Sequence, residues 1–252
     1  MKTRNIPKTF TTIHDFGFKN LLVAGCSFTY NNSEDHSVTW PYYLRDMGGF
    51  ETVLDCSMVG GGNQHIVNSV VYSIESYKVD PQDTLVVVQW AGHDRDDYIV
   101  DPTNINDYPF IYHYSKDAVA GITGGQDIAN FNDKDTIQKV QTMKNHSCRS
   151  IENFVRIKSL HSYLENAGFK FVFFEYRDYT LPGRDSNFDP KPYLSTPAKV
   201  AYKNTMTVLS KNFYKYCLQN DLMEDDDFHP SPDGHLSFTK TVLLPDLINI
   251  LD

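Results

Sequence analysis

At 252 residues, with 40% hydrophobic and 22% charged side chains, the chain is long enough to bury a full core as one globular domain. Its formal charge of −9, without a Lys/Arg cluster that would neutralise several phosphates, argues against a nucleic-acid partner. Cys26, Cys56, Cys148 and Cys217 are far apart and form no CxxC pair, so no zinc knuckle or redox motif is expected, and no apolar run approaches the ~20 residues that span a bilayer.

The start, Met1-Lys2-Thr3-Arg4-Asn5-Ile6-Pro7, leads into no apolar stretch of signal-peptide length, which predicts a cytoplasmic protein. A first buried strand is expected at Asn20 to Ala24 and a weaker one at Glu51 to Asp55, followed by a helix over Gln64 to Tyr77. Thr84 to Trp90 is the next strand. Residues 95 to 134, rich in Asp, Asn, Gly and Tyr, read as a long loop insertion, and a helix follows from about Thr136 to Ala167 with Gly168 as its C-terminal cap. Lys170 to Glu175 is a further buried strand. A second loop insertion at about 177 to 196 carries two Pro-rich patches, and helices are expected from Pro197 to Leu218 and from Asp233 to Leu251. Continuous rather than alternating hydrophobicity in the strands favours a mainly parallel sheet covered on both faces, built from βαβ units across a single domain, residues 1–252. Both insertions follow strands at their carboxyl ends and would stand over one cleft.

Ser27 lies where the first strand ends, in Gly25-Cys26-Ser27-Phe28-Thr29, the position where open α/β sheets gather ligands. A serine hydroxyl needs a base, and the base needs an acceptor that holds its tautomer. Near the far end, Asp225-Asp226-Asp227-Phe228-His229-Pro230 places Asp226 three residues before His229, and Pro230 and Pro232 stiffen the backbone around the imidazole. Between them, Val59-Gly60-Gly61-Gly62-Asn63 forms a turn between strand and helix, with amides free to face an oxyanion.

The order of Ser27, glycine turn, third-strand segment and late Asp-x-x-His-Pro resembles the SGNH, or GDSL-type, hydrolases over nearly the whole chain. That resemblance implies a flavodoxin-like three-layer α/β/α sandwich and a serine esterase working through an acyl-enzyme. It implies Ser27 as nucleophile, His229 as general base and Asp226 as its acceptor, with the Ser27 and Gly60 amides as oxyanion donors. Two positions depart from the pattern. Cys26 stands where aspartate is common, and in Gln89-Trp90-Ala91-Gly92-His93-Asp94 the oxyanion asparagine is replaced by His93, whose imidazole has one N–H to offer. Gly-Cys-Ser-Phe-Thr-Tyr, Thr39-Trp40-Pro41-Tyr42-Tyr43-Leu44 and Gln89-Trp90 are similar to a subgroup of bacteriophage-encoded SGNH-like proteins. The expected substrate is an acylated small molecule or glycan, most readily a carbohydrate O-acetyl ester, with no cofactor and no metal; virion association or an oligomeric state fits the same subgroup.

An alternative reading is a structural or glycan-binding module of a phage particle with weakened chemistry. A metal site is a third reading of Asp225, Asp226, Asp227, His229, Asp233 and His235, but their spacing matches neither a calcium loop nor His-Glu-x-x-His. His235 is read as a cap or packing residue of the last helix. His36, His65, His113, His146 and His161 belong to no motif and read as structural or surface residues.

Overall fold

The computed structural model describes residues 13–30, 38–92, 96–100, 110–113, 119–123, 146–176, 196–207, 209–224 and 229–252. In chain order, β1 (Asn20–Ala24), α1 (Trp40–Gly48), β2 (Thr52–Asp55), α2 (Asn63–Tyr77) and β3 (Thr84–Trp90) come first. Three strands follow: β4 (Asp96–Val100), β5 (Phe110–His113) and β6 (Val119–Thr123). Then come α3 (His146–Asn166), β7 (Lys170–Glu175), α4 (Thr196–Thr205), α5 (Phe213–Gln219), α6 (Pro232–Phe238) and α7 (Leu244–Leu251).

A parallel sheet in the order β2-β1-β3-β7 occupies the middle layer. Every residue of β3 is buried, as are Leu21 to Ala24 of β1, because helices cover both faces and leave no side of these strands wet. β2 and β3 flank β1 on opposite sides, so right-handed crossovers carry α1 and α2 to opposite faces. α1 accordingly packs with α6 and α7, and α2 packs with α3. The result is a three-layer α/β/α sandwich, and the winding reverses at the carboxyl ends of β1 and β3, where a crevice opens.

Four features differ from the sequence expectation. Residues 95 to 134, read as a loop, carry a second sheet, antiparallel and ordered β4-β6-β5. Its strands are only four or five residues long and sit among Asp, Asn and Gly, so composition hid them. The helix expected over Pro197 to Leu218 is two helices. The chain between them drops onto the sheet, where the Thr207 amide donates to the Phe173 carbonyl of β7 at 2.7 Å, and Asn212 restarts the helix by capping the Lys215 amide. α1 is a helix absent from that expectation, although Trp40, Pro41, Leu44 and Gly48 recur on one buried face; its entry signal is Pro41 in the first turn, and Gly49, at φ 79°, ends it. Finally, the C-terminal rod runs from Pro232 to Leu251 with a π-helical turn at Thr239–Leu243, since Pro245 has no N–H to return to the preceding turn. Among the described residues no helix is long and apolar enough to cross a membrane.

Candidate active site

Beyond Ala24 the backbone leaves the sheet in a tight helical turn, with the Cys26 carbonyl accepting from the Thr29 and Tyr30 amides at 2.8 and 3.0 Å. This turn is anchored from below by the buried Thr29 hydroxyl, which donates to Gln89 Oε1 at the end of β3 at 2.7 Å. Cys26 points into the core, fully buried, while Ser27 stays half-exposed toward the crevice. The adjacent thiol is thereby kept away from the surface that Ser27 faces.

His229 reaches the same spot from 202 residues away: its Nε2 lies 2.7 Å from Ser27 Oγ. The stretch that carries it is held on both sides. Glu224 N–H donates to the His229 carbonyl at 2.9 Å, Met223 and Pro230 form an antiparallel bridge, and Ser231 N–H donates to the Leu222 carbonyl at 2.9 Å. Ser231 then caps α6 through the Gly234 amide, with Pro232 in the first turn where its missing N–H is harmless. Phe28 supports the imidazole face at a ring separation of 4.7 Å and is itself stacked on Tyr176 at 4.2 Å, with Tyr214 next to it. Asp226 lies outside the described residues, as do the neighbouring Asp225 and Asp227 and, after β3, His93.

The glycine turn lies against the exit of β1. Met58 N–H donates to the Gly25 carbonyl at 3.1 Å, so the segment after β2 is stitched to the segment after β1. Gly60 is buried and adopts φ 74°, a left-handed conformation that side chains resist. Neither the Ser27 nor the Gly60 amide donates to any other described residue. An oxyanion is stabilised by preorganised N–H donors, and amides without another acceptor are the groups that could serve.

Residues that motif reading passed over complete the frame. Asn63, fully buried at the start of α2, accepts the Ala91 N–H at 2.9 Å and gives its own N–H groups to the Ala91 carbonyl at 3.2 Å and to Asn153 Oδ1 at 3.0 Å. Asp97 of β4 accepts from the amides of Gly62 and His65 at 2.8 and 2.9 Å. The available signal for Asp97 was indirect: Gly62 has no side chain with which to cap α2, so an acceptor had to come from elsewhere in the fold.

Two histidines read as structural are so, in specific ways. His65 is buried, its Nε2 3.3 Å from the Cys56 carbonyl, and burial pushes its pKa down to about 4, outweighing that carbonyl's opposing effect. His235 does not cap its own helix: its Nδ1 accepts the Trp40 N–H at 3.1 Å and so caps α1. Burial first, and the neighbouring His229 second, lower the His235 pKa to about 3 and keep the ring neutral, as an acceptor nitrogen must be.

No protein-family model and no curated protein matches the chain. Solved structures do. A protein assigned to the G-D-S-L lipolytic family from Desulfitobacterium hafniense DCB-2 aligns at 13% identity and a TM-score of 0.50, covering 91% of this chain and 99% of its own. TesA aligns at 16% identity and a TM-score of 0.51, covering 92% of this chain and 98% of its own. At such identities the similarity is one of fold, and the chain has the SGNH hydrolase fold.

Proposed function

We propose that the chain is a serine ester hydrolase of the SGNH type, acting through an acyl-enzyme, with an O-acetyl group on a carbohydrate as the preferred ester. The observation that carries the reading is the 2.7 Å separation of Ser27 Oγ and His229 Nε2, a nucleophile and a base within proton-transfer distance. Ser27 Oγ attacks the acyl carbon as its proton passes to His229 Nε2. The carbonyl oxygen, now negative, is held by the Ser27 and Gly60 amides and by His93. Collapse of the tetrahedral intermediate returns the proton to the leaving alcohol, and water then repeats the sequence on the acyl-enzyme with His229 again as base. In this reading Asp226 is the acceptor that stabilises the imidazolium. Tyr176 and Tyr214, partly buried beside Phe28, supply aromatic surface of the kind that packs on a sugar ring.

A fluorophosphonate probe labels the wild-type protein and leaves Ser27→Ala unlabelled, and hydrolysis of p-nitrophenyl acetate falls by about 10³-fold or more in that variant. Acetate release from an O-acetylated oligosaccharide, faster than from a long-chain ester, checks the substrate class. Equal labelling of wild type and Ser27→Ala overturns the proposal. His93 in place of an asparagine favours a second reading, a glycan-binding module of the same fold; binding of the acetylated oligosaccharide without any acetate release supports that one instead.

A further inference from the structure

We infer that Asp97, on the first strand of the inserted sheet, is a positioning residue for the oxyanion turn. This rests on the esterase reading above and adds to it a role for the insertion.

The N-terminus of α2 has a particular shortage. A helix start leaves amides without partners, and the usual remedy is reciprocal: the cap residue's side chain takes the N–H three residues on, and that residue's side chain returns to the cap N–H. Here the cap residue is Gly62, which has no side chain, and the residue three on is His65, whose Nε2 is engaged with the Cys56 carbonyl. Neither half can be made locally. Asp97 makes both, one carboxylate oxygen on the Gly62 N–H at 2.8 Å and the other on the His65 N–H at 2.9 Å. The glycine is what admits it, since a Cβ at position 62 would stand 2.6 Å from Asp97 Oδ2.

The consequence reaches Gly60. Gly60 lies two residues before the clamped Gly62 N–H, and on the other side the turn is tied to β1 through Met58 and the Gly25 carbonyl. Asn63, next in sequence to Gly62, holds both backbone groups of Ala91, two residues before His93. Glycine turn, α2 and the exit of β3 are therefore one hydrogen-bonded unit, and Asp97 ties the start of α2 to the inserted sheet. The Asp97 charge also faces the positive end of α2, so the helix dipole is already answered and stabilisation of an oxyanion falls to the aimed N–H of Gly60. Aim is sensitive: displacement of about 1 Å can lower a rate by roughly 100-fold.

The test compares Asp97→Ala, Asp97→Asn and Gly62→Ala with wild type, using p-nitrophenyl acetate kinetics and the rate of fluorophosphonate labelling. Asp97→Ala lowers kcat by about 10- to 100-fold with KM within about twofold, and slows labelling to match; Asp97→Asn, which keeps one acceptor oxygen, lies between. Gly62→Ala keeps the carboxylate but displaces it, and reproduces the loss even if Asp97→Ala does not fold. Full kcat in any folded Asp97→Ala or Gly62→Ala variant overturns the inference, and so does a rise in KM with kcat unchanged. Ser27→Ala keeps the two readings apart: loss of labelling there alongside full activity in Asp97→Ala sinks only the positioning role, whereas undiminished labelling of Ser27→Ala sinks the esterase reading itself.

Discussion

Two buried histidines make the fold acid-sensitive well above the carboxylate range. His235 has a folded pKa of about 3 and His65 of about 4, against 6.5 for the exposed side chain. Both are lowered, so the folded state resists a proton that the unfolded state takes up. Stability from each is therefore fully present above about pH 6.5 and is lost as pH falls from there toward the folded values. Between about pH 7.5 and about pH 5 the loss is set almost wholly by the unfolded pKa, because neither folded ring is protonated until lower pH. Linkage then gives about 2 kcal/mol for each histidine, about 4 kcal/mol together. For a domain of this size that lowers Tm by roughly 10 °C. Circular dichroism melts and urea titrations across this range read the effect directly. His235→Gln keeps an acceptor for the Trp40 N–H, so whatever its stability at about pH 7.5, its dependence on pH shrinks by about 2 kcal/mol. A pH dependence in His235→Gln as steep as in wild type refutes the reasoning, as does a wild-type stability that is flat over the interval.

Other substitutions read the site and its supports separately. Gly60→Ala forces a side chain into φ 74°, at about 1 to 2 kcal/mol in stability, and turns away the amide proposed to hold the oxyanion, so kcat for p-nitrophenyl acetate falls by about 10²-fold or more while KM changes little. Thr29→Val leaves Gln89 Oε1 buried without its donor and lowers unfolding free energy by about 1 to 3 kcal/mol in urea titrations, loosening the Ser27 turn as it does so.

Local chemistry made the strands and one pair of residues legible. Asn20–Ala24, Thr84–Trp90 and Lys170–Glu175 announce themselves because a strand buried on both faces has no reason to alternate, and these are three of the four strands of the parallel sheet. Ser27 and His229 pair in the sequence because a serine after a strand is common by itself and gains meaning only from a base, which the late Asp-x-x-His-Pro offers; their side chains meet at 2.7 Å. Short strands inside a polar insertion carry too few residues for a pattern to emerge, which is why β4, β5 and β6 looked like loop. The split of the expected helix at Thr207 depended on a vacancy along β7, a property of the sheet edge and not of residues 206 to 212.

What the sequence by itself determined is chemical type: an acidic α/β chain with a serine, a glycine turn and a histidine in the order of an acyl-transfer site. Only the tertiary structure decided which groups hold that site in shape. Asn63 grips the backbone of Ala91 in the interior, His235 caps α1 from 195 residues away, and Asp97 caps α2 from an inserted strand. None of these has a spacing rule. A buried amide must find an acceptor, and where its own neighbours have none to offer, the partner comes from whatever segment the fold brings alongside.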